Sequence, residues 1–496
     1  MTTTVTVDVA LPHLSEGAAY IDGRFRPTDR HIDVLEKATG TVLGTAGLGS
    51  LADLDTVVQG ARRAQEEWAA TPYDVRARLV LDVAGLLETH AEALADLVAR
   101  ETGSILGKAQ YEVGGSADEL RAAAGLAAQP QGEVLGSHDP GRFSFSERLP
   151  VGVVAAITPW NFPLILAMRV VAPAIALGNA VILKASPETP LSGGLAIAAL
   201  FDEAGAPAGL FQAICGEQEF NEALVAHPGV DMVHFTGSTA VGSKIAATAG
   251  GLLKKVSLEL GGDNAFVVLD DADAKRASML GAWSSFHYQG QTCISASRHL
   301  VHSTLAAAYT DALVVRAERI TVGDPQDPEI GDGPVIGPMI NERQAARADD
   351  LLRLSVEQGA TVVTGGTRDG LFYRPTVVTN VTPTMPIWTE ETFAPIVPIL
   401  AFDTDAEALE LVNDTPYGLV NAVVTADEGR GLRFARGCRS GMVHVNDATP
   451  TDEASAPFGG VGASGVGGRA GGQANLEEFT ERKWISVQQG RPEYPY

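Results

Sequence analysis

One cysteine of the three in this 496-residue chain, Cys293, stands among small and polar residues in HYQGQTCIS (287–295). A nucleophilic cysteine needs a lowered thiol pKa or a nearby base, a donor for oxyanion charge and a substrate held close. Gly290 and Thr292 leave the approach to the thiol narrow but uncluttered. The following ISAS is typical of a helix start, whose dipole and free N–H groups would favour a thiolate and an oxyanion. The alternative is a structural thiol.

Two side chains elsewhere in the sequence could complement such a thiol. Asn161 lies in PWNFP (159–163), where the flanking prolines would fix its carboxamide as an oxyanion donor, and the alternative is a cap for the helix that follows. Glu259 is a lone acid in VSLELGG (256–262), where desolvation would raise its pKa towards that of a general base. Pairing with a cation is the alternative for Glu259.

Other segments suggest a bound ligand. Lys184 ends the apolar run ILK, where a ligand would meet a parallel sheet, although strand-end lysines also extend to water. Glu391 in TEETFAP is either functional or simply solvated. The stretch from Met232 to Ala249 predicts a strand, a glycine turn and a helix, whose N-terminus would either bind an anion or belong to an ordinary βα turn. Its GSTAVGSK has the last two P-loop residues exchanged, and the GxGxxG match at 460–465 has no preceding strand, so neither predicts a standard nucleotide motif.

Apolar β-rich runs alternate with Ala/Leu-rich helical runs and would position these residues. The predicted elements are strands Val151–Thr158, Ala180–Lys184, Phe211–Cys215, Met232–Phe235, Ala265–Leu269, Leu300–His302, Thr361–Thr364, Val397–Phe402 and Met442–Val445, and helices Leu164–Leu177, Leu191–Ala204, Asn221–Ala226 and Val241–Ala249. Such alternation indicates βαβ units and parallel sheets covered on both faces. Residues 129–150 interrupt it with Gly, Pro and the alternating RFSFSER, which indicates an exposed hairpin or arm.

Composition narrows the class of protein. A formal net charge of −25 argues against nucleic acid or an anionic membrane as a partner. The longest apolar stretch, Leu164–Leu183, contains Arg169, Pro173, Gly178 and Asn179, so it predicts a buried helix and strand rather than a membrane span. Three scattered cysteines indicate neither a disulfide framework nor a metal site. With no signal peptide recognisable at the N-terminus, we expect a cytoplasmic protein.

Seven motifs, in order, resemble those of the aldehyde dehydrogenase superfamily along nearly the whole chain. They are TPWNFPL (158–164), ALGNAVILK (176–184), FTGSTAVG (235–242), LELGGDNAFVV (258–268), GQTC (290–293), EETFAPIVP (390–398) and APFGGVGASG (456–465). Three stretches look most like bacterial benzaldehyde and vanillin dehydrogenases: HVNDATPTDEASAPFGGVGASGVGGRAGG (444–472), RVVAPAIALGNAVILK (169–184) and the closing RPEYPY. The resemblance implies a Rossmann-like NAD(P)-binding domain (1–128 and 151–260), an α/β catalytic domain (261–465) and a small β oligomerisation arm (129–150 and 466–496).

The resemblance also implies roles for individual residues. Cys293 would be the nucleophile, Asn161 and the Cys293 backbone N–H the oxyanion donors, and Glu259 the base that activates water to release the acid. The residues implied for NAD(P) are Thr158, Pro159, Trp160, Lys184, Ser186, Pro187, Gly237, Ser238, Val241, Leu260, Gly261, Glu391 and Phe393. Those implied for the wall of the substrate tunnel are Leu166, Arg169, Trp283, His287, Tyr288 and Ile294.

One departure concerns the coenzyme. Many NAD-preferring members have Glu three residues after the Lys184 position, where this chain has Pro187 and then Glu188. Proline gives no acceptor for a 2′-OH and no charge against a 2′-phosphate, so we expect use of both NAD and NADP. The expected reaction is oxidation of an aromatic aldehyde by a homodimer or homotetramer. A CoA-acylating dehydrogenase and a catalytically silent binding homologue are the alternatives.

Overall fold

The computed structural model describes residues 17–331, 333–490 and 494, so the first 16 residues of the predicted cofactor domain and the closing RPEYPY, except Tyr494, lie outside the described part. The chain begins with strands β1 (Ala18–Ile21), β2 (Arg24–Pro27), β3 (Arg30–Leu35) and β4 (Val42–Leu48), helices α1 (Leu51–Ala69), α2 (Tyr73–Thr89), α3 (Ala91–Thr102) and α4 (Leu106–Ala127), and strands β5 (Gly132–Leu135) and β6 (Arg142–Pro150). Helix α1 starts with a capping box between Ser50 and Asp53.

The next segment confirms the predicted alternation. Its elements are β7 (Val153–Ile157), α5 (Pro163–Ala176), β8 (Ala180–Lys184), a π-helix (Leu191–Leu195), α6 (Ala196–Glu203), β9 (Phe211–Ile214), α7 (Gln218–Ala226), β10 (Met232–Gly237), α8 (Thr239–Gly251) and β11 (Lys255–Leu260). The apolar stretch Leu164–Leu183 is divided between α5 and β8, as predicted. Within the described ranges, no helix has the length and apolar character needed to cross a bilayer.

A second set of elements follows. It comprises β12 (Asn264–Val268), α9 (Ala274–Phe286), a 3-10 helix (His287–Gly290), β13 (Ala296–His302), α10 (Ser303–Glu318), β14 (Thr321–Val322), β15 (Val335–Ile336), α11 (Glu342–Glu357), β16 (Thr361–Thr364), β17 (Arg368–Asp369), β18 (Phe372–Tyr373), β19 (Thr376–Thr379), α12 (Pro386–Thr389), β20 (Ile396–Phe402), α13 (Asp405–Asn413), β21 (Val420–Val424), α14 (Glu428–Gly437), β22 (Met442–Val445), a 3-10 turn (Gly462–Ser464), β23 (Gly465–Val466), α15 (Ala474–Glu478) and β24 (Thr480–Gln488). The helix predicted after Cys293 is wrong, because residues 292–295 form a turn that enters β13.

The strands form two large sheets and an arm. The first sheet has the order β23-β11-β10-β7-β8-β9-β1-β4-β3, with β2 beside β1, and the second has the order β16-β19-β20-β13-β12-β21-β22. Strands β7 to β11 run parallel within the first sheet and are almost wholly buried, since helices cover both of its faces. This arrangement confirms the predicted α/β fold.

The predicted exposed hairpin is confirmed as a separate sheet with the order β24-β6-β5. Strand β24 pairs antiparallel with β6 along its whole length, from Thr480 opposite Pro150 to Gln488 opposite Arg142. Val134 and Trp484 on this arm are largely exposed. The domain ranges given above stay a prediction.

Candidate active site

A cleft of about 580 Å³ lies at the carboxyl edge of the first sheet. The parallel register there places Ile157 beside Lys184 and Gly237 beside Leu260. Strands β7 and β10 are neighbours, yet β8 and β9 continue on the other side of β7, so the connections diverge between β7 and β10. Doubly wound sheets bind nucleotides at such a switch point, because the loops that leave in opposite directions open a crevice.

Most residues singled out in the sequence line this cleft. They are Thr158, Pro159, Trp160, Asn161, Leu166, Lys184, Gly237, Ser238, Val241, Glu259, Leu260, Gly261, Cys293, Glu391 and Phe393. The predicted site residues that do not line it are Ser186, Pro187, Arg169, Trp283, His287, Tyr288 and Ile294.

Cys293 is half-buried in the turn between the 3-10 helix and β13. Asn264, the first residue of β12, donates its side-chain Nδ2 to the carbonyls of Cys293 and Ser295 at 2.8 and 2.7 Å, which ties this turn to the second sheet. Tyr288 and Gln289 just before the turn have positive φ values of 48° and 55°. Non-glycine residues seldom adopt such φ angles, and they persist where the surroundings enforce them.

The side chain of Asn161 is directed to the same turn. It is buried, and its Nδ2 donates to the carbonyl of Gln291 at 3.1 Å. The helix-capping alternative is not observed, because Phe162 is the N-cap of α5 and Glu112 of α4 accepts hydrogen bonds from the first backbone N–H groups of that helix. A carboxamide carries two N–H bonds, so one of them is left for a ligand. Among the described residues, nothing accepts the backbone N–H of Cys293 either.

Glu259 reaches the cleft from β11 and is only 6 % exposed. Its Oε2 has no hydrogen-bond partner in the described part of the chain. Burial raises the pKa of Glu259 to about 8, against the opposing pull of Arg169 and Arg469. The alternative that Glu259 pairs with a cation is therefore not observed at hydrogen-bond distance. The raised pKa lies in the range that a general base needs near neutral pH.

A glycine gives this carboxyl its space. Gly459 has a φ of 144°, and a Cβ at that position would lie 2.7 Å from Glu259 Oε1. Both the backbone conformation and the close approach require glycine there.

The thiol itself is not ionised by its surroundings. Burial raises the pKa of Cys293 to about 12, and the nearby Glu391 and Glu259 carboxyl groups add to the shift against the pull of Arg169. The dipole assistance expected from the sequence is missing, because a strand follows the cysteine. Attack by this sulfur consequently requires a base or another positive charge in the cleft.

The residues opposite the thiol fit a dinucleotide. Lys184 is buried at the end of β8 with no hydrogen-bonding or ion-pairing partner among the described residues, and burial lowers its pKa. Helix α8 directs its N-terminus into the cleft at Ser238, whose side chain makes no capping bond. Free N–H groups there suit a pyrophosphate. Trp160 and Phe393 meet edge to face at 5.5 Å, forming an apolar wall.

Glu391 lies on the loop before β20. Its Oε1 accepts a hydrogen bond from the Gly262 backbone N–H at 3.2 Å, and Arg347 donates to its carbonyl. Burial raises the pKa of Glu391 to about 7, in spite of the Gly262 hydrogen bond. A carboxyl group in this position can accept hydrogen bonds from ribose hydroxyls.

The turn after Lys184 contains Pro187, where this chain departs from the pattern of many NAD-preferring members of the family that the sequence resembles. Ser186 is buried and accepts the Glu188 backbone N–H at 3.2 Å, whereas Pro187 is exposed. The Glu188 carboxylate is engaged by Lys37 at 2.7 Å and by Asn341 at 2.8 Å. The carboxylate of the acid that follows the proline is therefore bound by two partners rather than standing free.

Arg169 is the most heavily paired of the predicted substrate residues. Its buried guanidinium contacts Glu119 and Asp452 and lies over the Phe458 ring at 4.4 Å. Burial opposes its charge, but the two carboxylates outweigh burial and raise the pKa of Arg169. A second cavity of about 510 Å³ is lined by Glu119 and Asp452.

The remaining predicted substrate residues surround the cysteine turn. Trp283 is half-exposed and stacks on His287 at 4.4 Å. Burial, with a smaller contribution from Lys108, lowers the pKa of His287 to about 4, so its ring is neutral at pH 7. Tyr288 is buried and donates its hydroxyl to the Thr102 carbonyl, while Ile294 packs with Leu419 and Phe458 in a small apolar cluster.

Several residues that line the cleft were not predicted from the sequence. They are Ile157, Phe235, Thr236, Thr239, Ala240, Arg343, Gln344, Arg347 and Tyr417. The first five lie within or next to motifs that were already recognised. They could have been predicted by including every residue of each βα turn. Arg343, Gln344 and Arg347 lie on one face of α11, and nothing in that polar helix indicates that it covers a site in the first sheet.

Comparisons with known proteins agree with this geometry. The model of the aldehyde dehydrogenase family matches residues 25–485. Benzaldehyde dehydrogenase [NAD(+)] of Pseudomonas putida is 44 % identical over 464 residues, covering 94 % of both chains. Vanillin dehydrogenase of an Amycolatopsis strain is also 44 % identical, covering 93 % of this chain and 94 % of its own.

A solved structure shows the same fold. Betaine aldehyde dehydrogenase of Staphylococcus aureus, in complex with NAD+, superimposes with a TM-score of 0.94 at 33 % identity, covering 99 % of this chain and 97 % of that one. Sequence and fold thus agree along almost the whole chain. This protein belongs to the aldehyde dehydrogenase family of NAD(P)-dependent oxidoreductases.

Proposed function

We propose that this enzyme oxidises an aromatic aldehyde to the carboxylic acid, with Cys293 as nucleophile, Asn161 as oxyanion donor and Glu259 as the base that activates water. The observation that carries the proposal is the buried, unpartnered Glu259 carboxyl in the same cleft as a half-buried thiol. A desolvated acid without a partner costs stability, and such groups are retained where chemistry uses them.

The first step forms a bond between Cys293 Sγ and the aldehyde carbon, and the thiol proton passes to a base in the cleft. The resulting oxyanion accepts hydrogen bonds from Asn161 Nδ2 and from the Cys293 backbone N–H. Preorganised donors of this kind lower a barrier because they need no reorientation when charge develops. Loss of hydride then converts the thiohemiacetal into a thioester.

Water completes the reaction. Glu259 takes a proton from water, the oxygen bonds to the thioester carbon, and the bond to Sγ breaks, releasing the acid and the thiol. The carboxyl performs this step only when it is ionised, and with a pKa of about 8 it is partly ionised at neutral pH. An ionised Glu259 also gives the first step a base for the thiol proton, which the carboxyl passes on to solvent before it takes a proton from water.

NAD(P), when bound, supplies the acceptor for the hydride. Lys184 and Glu391 would hold its two ribose rings and the N-terminus of α8 its pyrophosphate, while Phe393 would pack near the nicotinamide ribose and Trp160 would line the adenine–pyrophosphate cleft. Neither Pro187 nor the engaged Glu188 opposes a 2′-phosphate, and Ser186 and Lys184 can contact one, so both NAD and NADP serve. An NADP efficiency more than ~1,000-fold below that of NAD, about 4 kcal/mol of discrimination, would contradict dual use.

The proposal of an aromatic substrate is supported by the two relatives named for benzaldehyde and vanillin. The neutral, stacked pair His287 and Trp283 can contact a planar ring. The charge of Arg169 is already balanced by its ion pairs with Glu119 and Asp452. The site therefore favours a substrate with ring hydroxyls over a substrate with a carboxylate.

The proposal also includes a homodimer or homotetramer formed through the arm. The arm sheet leaves Val134, Phe143 and Trp484 exposed, and such surfaces suit sheet extension between copies in a homodimer or homotetramer. Three unpaired thiols, at Cys215, Cys293 and Cys438, suit a reducing cytoplasm.

The test is a panel of aromatic and aliphatic aldehydes run with both coenzymes, reported as kcat/KM, with Cys293→Ala beside it. We expect the variant to lose aldehyde-dependent NAD(P)H formation because no other thiol lines the cleft in the described part of the chain. Cys438→Ala, which removes a half-buried thiol outside the cleft, should match the parent. An active Cys293→Ala enzyme would refute the mechanism. Formation of acyl-CoA after CoA is added would show that CoA, rather than water, accepts the acyl group.

A further inference from the structure

A buried ion pair lies beneath the oxyanion donor. Lys108 and Glu112 are one turn apart on α4, their charged atoms are 2.5 Å apart, and neither side chain reaches solvent. Burial lowers the pKa of Lys108, opposed by the Glu112 carboxylate. A buried pair of this kind often stabilises a fold no better than apolar residues of the same volume, so its presence calls for a reason other than stability.

The contacts of the pair supply that reason. Lys108 Nζ donates to the backbone carbonyl of Asn161 at 2.8 Å. The other oxygen of Glu112 accepts the backbone N–H groups of Leu164 at 2.7 Å and Ile165 at 3.3 Å, at the start of α5. The ion pair thus holds the loop of Asn161 on both sides.

The same ammonium group also reaches the other loop of the site. It lies 4.2 Å from the ring centre of Phe162 and 4.5 Å from that of Tyr288, and these two rings meet edge to face at 5.6 Å. Phe162 follows Asn161, and Tyr288 belongs to the left-handed pair that leads to Cys293. A desolvated cation over aromatic faces is attracted to them, so Lys108 influences where the two loops lie.

We infer that Lys108 is a positioning residue, which with Glu112 fixes the carboxamide of Asn161 relative to Cys293. Lys108 does not itself line the cleft, and it acts through the Asn161 backbone and the Tyr288 ring. The inference rests on the proposed function of Asn161 as oxyanion donor. A displacement of about 1 Å at a reacting centre can cost ~100-fold in rate, so a carbonyl anchor of this kind has kinetic consequences.

A double-mutant cycle tests the inference. Asn161→Ala alone should lower kcat by ~100- to 1,000-fold, as loss of an oxyanion donor does. Lys108→Met alone should lower kcat by ~10- to 100-fold, with the coenzyme KM nearly unchanged because the residue lies outside the coenzyme wall. In the Asn161→Ala background, Lys108→Met should cost less than about threefold, since its effect passes through Asn161.

The combined variant Lys108→Met/Glu112→Gln covers the case in which the single variant does not fold. It leaves no unpaired charge, and the Gln oxygen can still accept the Leu164 and Ile165 N–H groups. Lys254→Met is the matched control, because Lys254 also donates to two backbone carbonyls, at 2.7 and 2.5 Å, but outside the cleft; its kcat should equal that of the parent.

The outcomes separate the two proposals. Equal losses from Lys108→Met in both backgrounds, or no loss in the parent background, would overturn the positioning role while leaving Asn161 as the donor. An Asn161→Ala enzyme with full kcat would instead refute the proposed oxyanion donor and, with it, the inference.

Discussion

Glu259→Gln should stabilise the folded protein while it abolishes turnover. The folded carboxyl has a pKa of about 8, against an ordinary value of 4.5, so the unfolded chain loses this proton at a pH where the folded chain still keeps it. Between pH 4.5 and 8 the parent is therefore destabilised increasingly as pH rises, by about 1.4 kcal/mol per pH unit. At pH 7 this destabilisation of the folded parent is at most about 3 kcal/mol. The neutral Gln side chain does not cause it.

Thermal unfolding of parent and variant at pH 5 and pH 8 measures the effect. For 496 residues that unfold together, at ~2.1 cal/mol/K per residue, 3 kcal/mol corresponds to a rise of about 3 °C in Tm. The rise should be small at pH 5 and largest at pH 8. Kinetic assays of the same samples should show no steady-state acid release, because no base activates water.

A second Glu-to-Gln change provides a control of opposite sign. Arg148 and Arg482 lower the pKa of Glu477 to about 2, so its ionised form contributes stability above pH 4.5 that is lost as pH falls towards 2. Glu477→Gln should accordingly lower Tm slightly at pH 8, since the group is exposed and screened. A Glu259→Gln variant whose Tm advantage is the same at pH 5 and pH 8 would refute the reasoning about its burial.

Two further changes test other parts of the cleft. Pro187→Glu should reduce kcat/KM with NADP at least ~10-fold relative to NAD, because it puts a carboxylate beside the expected 2′-phosphate, and an unchanged coenzyme ratio would contradict the assignment of this turn. Gly459→Ala should lower kcat ~10- to 100-fold at a nearly constant coenzyme KM, since its methyl group would lie 2.7 Å from Glu259 Oε1 and its φ of 144° is strained for alanine. Full activity in that variant would show that the carboxyl needs no such space.

The α/β fold was predictable because its signals are local. Buried parallel strands such as Ala180–Lys184 are continuous apolar runs with helical stretches between them, and this alternation needs no long-range information. Lys184, Gly237 and Leu260 could be expected at one edge for the same reason, since parallel strands end together. The hairpin of the arm was likewise indicated by the alternation in RFSFSER.

Local signals failed where the backbone is governed by distant contacts. The segment after Cys293 reads as a helix start, yet Asn264 and the second sheet draw it into β13. Asn161 reads as a helix cap, but Glu112, about 50 positions earlier, occupies the N-terminus of α5 instead. A side chain that is far away in sequence can satisfy the same N–H groups, and propensity carries no information about it.

The sequence by itself determined the fold class and the family, and it singled out the thiol, amide and acid proposed for catalysis, because each depends on residue types and on their order. Only the tertiary structure decided their state. It left Glu259 without a partner, tied Glu188 to Lys37 and Asn341, paired Arg169 with two carboxylates and placed Lys108 beneath Asn161. The physical reason is that desolvation and pairing depend on which groups share a buried volume, and those groups come from segments 50 to 283 residues apart.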